Sequence, residues 1–440
     1  QERRIPPLAL PVVLEQIKGW LEAGIVEPST SPHSSPLLIV AKKPLAPPRD
    51  PATGKPVEDW KPKPRWRICV DYKMVNTRLR ATNMTNAPRL DVCLHQVASC
   101  GGRTFTLRRE EQRTGQTVPG RRWLATTCDL VQGFHQITLA PECRPYTAFT
   151  VPGLHAKEGH LQFVCAPFGL SVMPTYFHEM VGQAIGDLHY GHVRGTVSKD
   201  VIPVASHYID DTFVSTLDSF EGHLAAVRSV FKRLEAVGFG ARVDKVEFAQ
   251  KKLGMLGWEV EEGKLRTDQS KAHKLVREIG GLDHRLREKK DVMSALGALN
   301  FYRTVIPNAA GISAPLYQLT RKGAFQSEDD WTPVHSAALR ALKEALVADH
   351  FLAVPQEKEE FYLVTDASVH SGAAVLAQVQ PNGAEHPVSY AGTSFPETAR
   401  RWSASERECF TLLWGAEYFD QYLQFGKAVF CTDHNPLVGL

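Results

Sequence analysis

The chain has 440 residues, of which 43% are hydrophobic and 22% are charged. This composition excludes wholesale disorder and leaves room for roughly two to four globular domains. The formal net charge is only +3, which excludes a strongly basic chain but is compatible with a locally basic groove. No apolar run approaches the roughly 20 residues that a membrane helix needs, so we expect no membrane partner.

The eight cysteines form no Cys-x-x-Cys pair, and no histidine pair has the spacing of a zinc finger. We therefore expect free thiols in a reducing compartment. The first residues, Gln-Glu-Arg-Arg, do not resemble a signal peptide, and the chain begins without an initiator Met. The missing Met predicts that the chain is a piece of a longer polyprotein.

Apolar periodicity and breaker residues predict the first elements of the chain. Apolar side chains at helical spacing favour an amphipathic helix over 12–23. Short apolar runs predict strands over 36–40, 66–72 and 123–128. Polar or proline-rich stretches indicate surface loops over 44–64, 101–122 and 189–200.

The second half of the chain alternates between helical and strand patterns. A strong helical period predicts a helix over 219–237. Beyond Gly263 the pattern turns helical, and strands return towards the C-terminus. A last helix is predicted over about 403–421, and its start carries a capping box formed by Ser403 and Glu406.

Three aspartates stand at the ends of predicted strands. Asp129 follows the strand 123–128, and the pair Asp210-Asp211 breaks the region 201–214 into two strands. Adjacent side chains of a strand point to opposite faces, so a tight turn is needed to bring both carboxylates to one site. Crowded carboxylates repel each other, and oxygen ligands suit Mg²⁺. An isolated Asp-Asp pair is more often a solvated turn, so the flanking residues decide between these interpretations.

The flanking residues form a series of motifs. They occupy 66–72 with Asn76, 127–137, 166–170 with Pro174, 208–211, 243–248 and 256–258. In that order they resemble the motifs of reverse transcriptases, among them [YF]xDD, LDLxxGYHQI and MPFGLxxxP. The MPFGL form, together with 299–303 and 306–308, resembles the enzymes of gypsy-type LTR retrotransposons.

The resemblance implies an RNA-directed DNA polymerase with an α+β, right-hand fold of fingers, palm and thumb. The reaction would be attack of a primer 3′-hydroxyl on the α-phosphate of a dNTP, with RNA or DNA as the template. Two Mg²⁺ ions, or Mn²⁺ in their place, would stabilise the attacking and leaving oxygens. Asp129, Asp210 and Asp211 would be the catalytic metal ligands.

The resemblance also implies residues that bind the nucleotide. Phe134 would be the steric gate against a ribose 2′-hydroxyl, and an ordinary core aromatic is the alternative interpretation. Arg67 would hold the triphosphate, because a guanidinium suits phosphate oxygens. Either Lys42 or Lys43 would assist, and both could equally be solvated surface lysines.

Further positions would contact the template, the pyrophosphate or the duplex. Phe168 and Gly169 would line the nucleotide and template pocket, since glycine lets a backbone approach closely. Lys245 would donate a proton to pyrophosphate, with a surface lysine as the equally weighted alternative. The basic run 285–290 is a candidate for contacts with the duplex backbone, although a solvated charge run is the simpler interpretation.

A second set of motifs occupies the last part of the chain. The segments 364–368, 372–378, 405–408 and 432–437 resemble the ribonuclease H domain of these elements. By that match Asp366, Glu408 and Asp433 would bind two Mg²⁺ and cut RNA in an RNA–DNA hybrid. Glu408 is chosen over Glu406 because Glu406 fits the capping role. The family's fourth carboxylate lies further on than Leu440, so a C-terminally truncated α/β domain with an incomplete nuclease site is expected.

The resemblance divides the chain into fingers and palm over 1–263, a thumb over 264–325, a connection over 326–357 and a partial ribonuclease H domain over 358–440. The expected partners are a primed RNA or DNA template, dNTPs and an RNA–DNA hybrid. A second copy of the chain and the protease, integrase and capsid of a polyprotein are further expected partners. The expected location is the cytoplasm, within a virus-like particle, with access to the nucleus.

Two other functions share part of this pattern. One is a catalytically inactive or domesticated relic that binds nucleic acid, which would have no reason to retain Asp129, Asp210 and Asp211. The other is an RNA-dependent RNA polymerase, whose palm also carries a double Asp. Phe134 at the sugar gate and the attached ribonuclease H motifs speak against that second alternative.

Overall fold

The computed structural model describes residues 5–7, 9–42, 65–79, 90–101, 110–111, 113–115, 120–131, 133–151, 154, 159–190, 203–280, 288–321, 323–325, 327–356, 359–380, 383–424 and 427–437. Lys43 and the predicted loop 44–64 lie outside these residues, as do 285–287 and most of the predicted loops 101–122 and 189–200. In the part that is described, no helix is long and apolar enough to cross a membrane.

The helices and strands are numbered in chain order. The helices are α1 (Leu10–Glu22), α2 (Lys73–Asn76), α3 (Leu90–Ser99), α4 (Met173–Ile185), α5 (Phe220–Ala236), α6 (Gln269–Gly280), α7 (Lys289–Asn300), α8 (Ala309–Leu319), α9 (Pro333–Val347), α10 (Ala404–Tyr418) and α11 (Asp420–Leu423). The strands are β1 (Val26–Pro28), β2 (Leu37–Lys42), β3 (Arg65–Val70), β4 (Arg122–Asp129), β5 (Phe149–Thr150), β6 (His160–Phe163), β7 (Ala205–Tyr208), β8 (Asp211–Asp218), β9 (Glu247–Gln250), β10 (Leu253–Met255), β11 (Trp258–Glu261), β12 (Lys264–Thr267), β13 (Phe351–Ala353), β14 (Phe361–Ala367), β15 (Ser371–Val379), β16 (Glu385–Ser394) and β17 (Ala428–Cys431).

The palm is an antiparallel sheet with the strand order β7-β8-β4-β9. Helices cover both faces of this sheet. On one face Phe213 of β8 shares a core with Val97 of α3, and on the other Val214 shares a core with Phe177 of α4 and Val230 of α5. Successive side chains of a strand point to opposite faces, so neighbouring residues of β8 enter different cores.

The fingers are built around a second core. β2 pairs with β3, and β1, β6 and β5 form a three-stranded sheet. Val13 and Ile17 of α1, Val26 of β1 and Phe163 of β6 meet in this core, each at most 2% exposed. The helix predicted over 12–23 and the strands predicted over 36–40 and 66–72 are thus confirmed, with shifts of a few residues at their ends.

Helices α6 to α9 and the sheet β10-β11-β12-β13 contribute to the largest core. The expectation that the pattern turns helical beyond Gly263 is confirmed by α6 to α9, but it missed β12, which the first residues after Gly263 form. Leu265 of β12 pairs with Val260 of β11 on one side and with Leu352 of β13 on the other. A four-residue strand carries little periodic signal of its own, and its pairing with β13 joins segments far apart in sequence.

The C-terminal part is a sheet with the order β16-β15-β14-β17, in which β14 and β17 are parallel and the other pairs are antiparallel. Helix α10 packs on this sheet closely at Gly415, where a Cβ would lie 3.2 Å from the Cβ of Ala374. The predicted capping box is confirmed, since Ser403 and Glu406 bond to each other's backbone at the start of α10.

Candidate active site

Asp129 is the last residue of β4, and it stands directly opposite Asp211, the first residue of β8. Ile209 and Asp210 form the turn of the hairpin between β7 and β8. The turn therefore lies one residue earlier than the interruption predicted at Asp210-Asp211. Ile209 has φ of 58°, a left-handed conformation that is rare for a β-branched residue. The tight turn that the sequence required is therefore present, and it holds backbone strain of roughly 1–3 kcal/mol.

Asp210 is held beside the segment that follows Asp129. The backbone N–H of Leu130 donates to the carbonyl oxygen of Asp210 at 3.2 Å. A Cβ on Gly133 would lie 3.5 Å from the Cβ of Asp210 and 3.3 Å from the ring of Phe177, so a side chain at 133 would crowd the site. The three aspartates therefore meet at one end of the palm sheet.

The carboxylates of this cluster repel one another. Burial raises the pKa of Asp211 to about 6, with further increases from Asp210 and Asp129 and opposing effects from Lys245 and Lys271. The ammonium nitrogen of Lys245 lies 2.5 Å from Oδ2 of Asp129. Negative charge thus accumulates here, and lysine side chains balance part of it.

Magnesium fits the donor set of this cluster. Across the residues that the structure describes, no three His, Cys, Asp or Glu side chains are arranged closely enough to hold a metal ion as they stand. Lys245 is instead the cation at Asp129. Carboxylate oxygens are nevertheless ligands that Mg²⁺ prefers. Burial raises the pKa of Asp211, and repulsion from Asp210 and Asp129 raises it further, so a cation bound beside these carboxylates would favour their ionised forms.

Phe134 lies on a 3₁₀ turn, Gly133–Gln136, directly after the glycine whose Cβ position faces Asp210. It is half-buried, with its ring centroid 5.1 Å from that of Phe168 and 5.5 Å from that of Phe177. Phe168 is 50% exposed. Phe134 therefore packs partly into the core, in line with the alternative interpretation, and partly against the exposed ring of Phe168.

The loop of Phe168 and Gly169 is tied to the fingers. Gly169 has φ of 103°, and a Cβ there would lie 3.2 Å from the carbonyl oxygen of Val70. The side-chain amide of Asn76 donates to the carbonyl of Gly169 at 2.9 Å and accepts from the N–H of Ser171 at 2.9 Å. The close backbone approach expected of this glycine is thus observed, and its partner is strand β3.

Two of the basic residues predicted to hold the triphosphate, Arg67 and Lys42, lie on the β2–β3 pair. Arg67 is exposed and stands opposite Val40 in the ladder. Among the described residues Arg67 makes no ion pair with a carboxylate. Lys42 is the last residue of β2 and pairs with Arg65, and Lys43 lies outside the described residues.

A second cluster of carboxylates lies at one edge of the C-terminal sheet. The parallel strands β14 and β17 align Val364 with Cys431. Asp366 lies two residues after Val364, and Asp433 lies two residues after Cys431. Because the two strands are parallel and adjacent, both aspartates lie at the same end of the sheet. Both are exposed.

Glu408 of α10 completes this second cluster. Its Oε1 accepts the backbone N–H of Ala367 at 2.9 Å, and its Oε2 is buried and has no hydrogen-bond partner in the described part of the chain. Burial raises the pKa of Glu408, and Asp366 and Asp433 raise it further against the lowering effect of the Ala367 bond. Glu406 instead accepts the N–H of Ser403 at 2.7 Å, in agreement with the capping role that was assigned to it.

Two family models match the chain around these clusters. Residues 60–260 match the reverse transcriptase (RNA-dependent DNA polymerase) family, and residues 331–430 match the RNase H-like domain found in reverse transcriptase. The chain carries a reverse transcriptase domain followed by a ribonuclease H-like domain. The second match begins at Trp331, inside the segment predicted as a connection, and the predicted domain boundaries stay predictions.

Curated relatives cover nearly the whole of this reverse transcriptase chain. The retrovirus-related Pol polyprotein from transposon 297 of Drosophila melanogaster is 26% identical over 97% of this chain and 34% of its own length. The Pol polyprotein from transposon opus of the same organism is 28% identical over 97% of this chain and 37% of its own length. The chain therefore spans about a third of the length of these relatives. They confirm the resemblance to the enzymes of retrovirus-like transposons.

Solved structures share the fold of the reverse transcriptase chain. The foamy viral protease-reverse transcriptase in complex with an RNA/DNA hybrid has a TM-score of 0.71 and 20% identity, covering all of this chain and 50% of that one. The same protein in complex with dsDNA has the same TM-score and identity, covering all of this chain and 78% of that one. The expected α+β, right-hand fold is confirmed by these matches.

Three residues near the aspartates or the loop of Gly169 received no role from the sequence. Asn76 holds the loop of Gly169, and Lys271 acts electrostatically on Asp211 from α6. His135 lies with its ring centroid 5.2 Å from that of Phe168, and burial lowers its pKa. Asn76 and His135 belong to the motifs that resemble reverse transcriptases, so the motifs could have identified them. No sequence feature around Lys271 points to the site.

Proposed function

We propose that this chain is the RNA-directed DNA polymerase of an LTR retrotransposon, extending a primer with dNTPs on an RNA or DNA template. The observation that carries this proposal is the meeting of Asp129, Asp210 and Asp211 at one end of the palm sheet. The match of residues 60–260 to the reverse transcriptase family supports it.

The three aspartates are the proposed ligands of two Mg²⁺ ions, with Mn²⁺ as a substitute. Bound there, the metal would neutralise charge on the attacking and leaving oxygens of the phosphoryl transfer. Asp129 and Asp211 stand opposite each other on paired strands and Asp210 lies in the adjoining turn, so the three residues are neighbours at one end of the sheet. The preorganised carboxylates are this chain's contribution to the chemical step.

Aromatic and glycine residues would shape the dNTP pocket. Phe134 would clash with a ribose 2′-hydroxyl and so select deoxyribonucleotides. Its ring is braced by Phe168 and Phe177, which would keep it from moving away from the sugar. Phe168 is exposed enough to line the pocket, and Gly169 keeps its backbone tight against the fingers.

Basic residues would handle the phosphates. Arg67 would bind the triphosphate, assisted by Lys42 or Lys43. Lys245, held beside Asp129, would donate a proton to the departing pyrophosphate. A primary ammonium suits that task because it carries a transferable proton, whereas a guanidinium stays charged.

The ribonuclease H-like domain would degrade RNA in RNA–DNA hybrids. Asp366, Glu408 and Asp433 are the proposed ligands of a second Mg²⁺ pair, and the unpartnered Oε2 of Glu408 is the feature that favours a cation there. We further propose a second copy of the chain and the protease, integrase and capsid of a polyprotein as partners, in a cytoplasmic virus-like particle with access to the nucleus.

Primer extension on poly(rA)/oligo(dT) with Mg²⁺ tests the polymerase proposal. The wild-type chain should extend the primer with dTTP, and Asp210→Asn should abolish extension because one oxygen ligand is lost. Asp329→Asn is the matched control, since Asp329 is an exposed aspartate in another part of the chain.

Each alternative predicts a different result. No extension by the wild-type chain, with retained binding of the duplex, would favour the inactive nucleic-acid-binding relic. Preferential use of UTP over dTTP would favour an RNA polymerase. Extension that persists in Asp210→Asn would contradict the assignment of the aspartates.

A further inference from the structure

The side chain of Gln136 joins two backbone segments that meet beside Asp129. Its Nε2 donates to the carbonyl oxygen of Val131 and, at 3.3 Å, to that of Gly240. Its Oε1 accepts the backbone N–H of Gly240 at 2.6 Å. Both ends of the amide are therefore used, one as a donor and the other as an acceptor.

The two segments form a short antiparallel ladder next to the aspartates. The N–H of Val131 donates to the carbonyl of Gly240 at 2.9 Å, and the N–H of Arg242 donates to the carbonyl of Asp129 at 2.9 Å. Just after Arg242 the chain enters the 3₁₀ turn Val243–Lys245, whose last residue reaches Asp129. The contacts at Gly240 and Arg242 therefore hold the backbone segment that leads to Lys245.

Gln136 is also the last residue of the 3₁₀ turn that carries Phe134. The N–H of Ile137 donates to the carbonyl of Phe134 at 3.0 Å, which holds the turn closed immediately after Gln136. One amide thus connects the turn of Phe134, the end of β4 at Asp129 and the segment leading to Lys245.

We propose that Gln136 is a positioning residue that sets the placement of Phe134 relative to Asp129, so that dNTP binding and discrimination against rNTPs depend on it. This rests on the proposed function, in which Phe134 is the sugar gate. A gate discriminates only if its ring cannot retreat from the 2′-hydroxyl, and the bonds of Gln136 oppose such a retreat. Asn76 restrains the loop of Phe168 and Gly169 in a comparable way.

The test compares Gln136→Met with the wild-type chain and with Gln183→Met. Methionine has nearly the same length as glutamine but keeps neither the donor nor the acceptor. Gln183 is an exposed glutamine of α4 and serves as the matched control. In single-nucleotide extension, we expect Gln136→Met to raise the KM for dTTP and to lower the preference for dTTP over UTP by about tenfold, as the loss of one or two hydrogen bonds implies.

Gln136→Glu separates the two roles of the amide. Glutamate can accept from Gly240 but cannot donate to the carbonyls of Val131 and Gly240, so it should recover only part of the preference for dTTP. An equal loss of kcat with dTTP and UTP in Gln136→Met, at an unchanged KM and sugar preference, would overturn the proposal. That pattern is what a purely structural role would produce.

Hydrogen–deuterium exchange gives a readout that needs no activity. Peptides covering 129–137 and 238–245 should exchange faster in Gln136→Met than in Gln183→Met, because the clamp on Val131 and Gly240 is gone. Unchanged exchange in both peptides would also overturn the proposal. A wild-type chain that extends no primer would contradict the proposed function instead, and the exchange result would still decide whether Gln136 clamps the two segments.

Discussion

Nε2 of His223 lies 2.7 Å from Oγ1 of Thr126 inside the palm. Its other ring nitrogen, Nδ1, lies 2.8 Å from Oγ1 of Thr216. Thr126 belongs to β4 and Thr216 to β8, the two strands that carry Asp129 and Asp211. A single buried imidazole on α5 therefore links the helix to both of these strands.

The stability of the palm should depend on pH through His223. Burial lowers the pKa of His223 from 6.5 to about 4. Between these values the unfolded chain binds a proton that the folded chain does not, so the free energy of unfolding is highest above pH 6.5 and decreases as the pH falls towards 4. The slope for one such proton is at most about 1.4 kcal/mol per pH unit.

Urea unfolding at several pH values across this window measures the effect. His223→Gln should unfold at lower urea at neutral pH and should show a smaller pH dependence than the wild-type chain. His350→Gln, at an exposed position, should keep the wild-type dependence. An identical pH dependence in His223→Gln and wild type would show that His223 does not contribute to it.

Gly169→Ala should weaken nucleotide binding. Alanine at this position would have to adopt φ of 103°, a backbone strain of roughly 1–3 kcal/mol. Its Cβ would also lie 3.2 Å from the carbonyl oxygen of Val70, so the loop would either hold this strain or move. We expect an increase in the KM for dNTP in steady-state primer extension. Gly254→Ala is the control, because a Cβ at Gly254 meets nothing within 4 Å and its φ is not left-handed. Equal kinetics of the two variants would contradict the role of this loop.

Replacement of Phe134 should relax the choice of sugar. Phe134→Val removes the ring that contacts Phe168 and Phe177, and UTP incorporation relative to dTTP should increase by about tenfold or more. Phe134→Tyr keeps the ring and should keep the preference for dTTP. Competition between the two nucleotides in single-nucleotide extension measures the ratio. An unchanged ratio in Phe134→Val would leave Phe134 as a core aromatic.

Neutralising Glu408 should stabilise the ribonuclease H-like domain in the absence of Mg²⁺. Gln can still accept from Ala367 at the position of Oε1, while the buried charge and its repulsion from Asp366 and Asp433 are removed, so we expect a higher unfolding temperature at neutral pH. Thermal unfolding with and without MgCl₂ should show that Glu408→Gln also loses any stabilisation by Mg²⁺. Glu406→Gln keeps the capping box and should behave as wild type. Equal stabilisation by Mg²⁺ in Glu408→Gln and wild type would argue against Glu408 as a ligand.

Local pattern was sufficient for much of the fold. The helical period of 219–237 and the capping box of Ser403 and Glu406 act within a few turns of the chain, and both were predicted correctly. Strands β1, β6 and β10 to β13 were missed, because they have only three or four residues and carry little periodic signal. The pairings of β1 with β6 and of β12 with β13 also join segments that are far apart in sequence. The strand β12 was even assigned to a helical region for the same reason.

The sequence alone determined which chemical groups this protein brings to its sites. Asp129, Asp210 and Asp211 were identifiable because motif order and strand ends are properties of the chain itself. The tertiary structure decided how those groups are held: Lys245 against Asp129, Asn76 on the loop of Gly169, and Gln136 between Val131 and Gly240. These contacts join residues that only folding brings together, and their energies depend on distances and burial that no local pattern encodes.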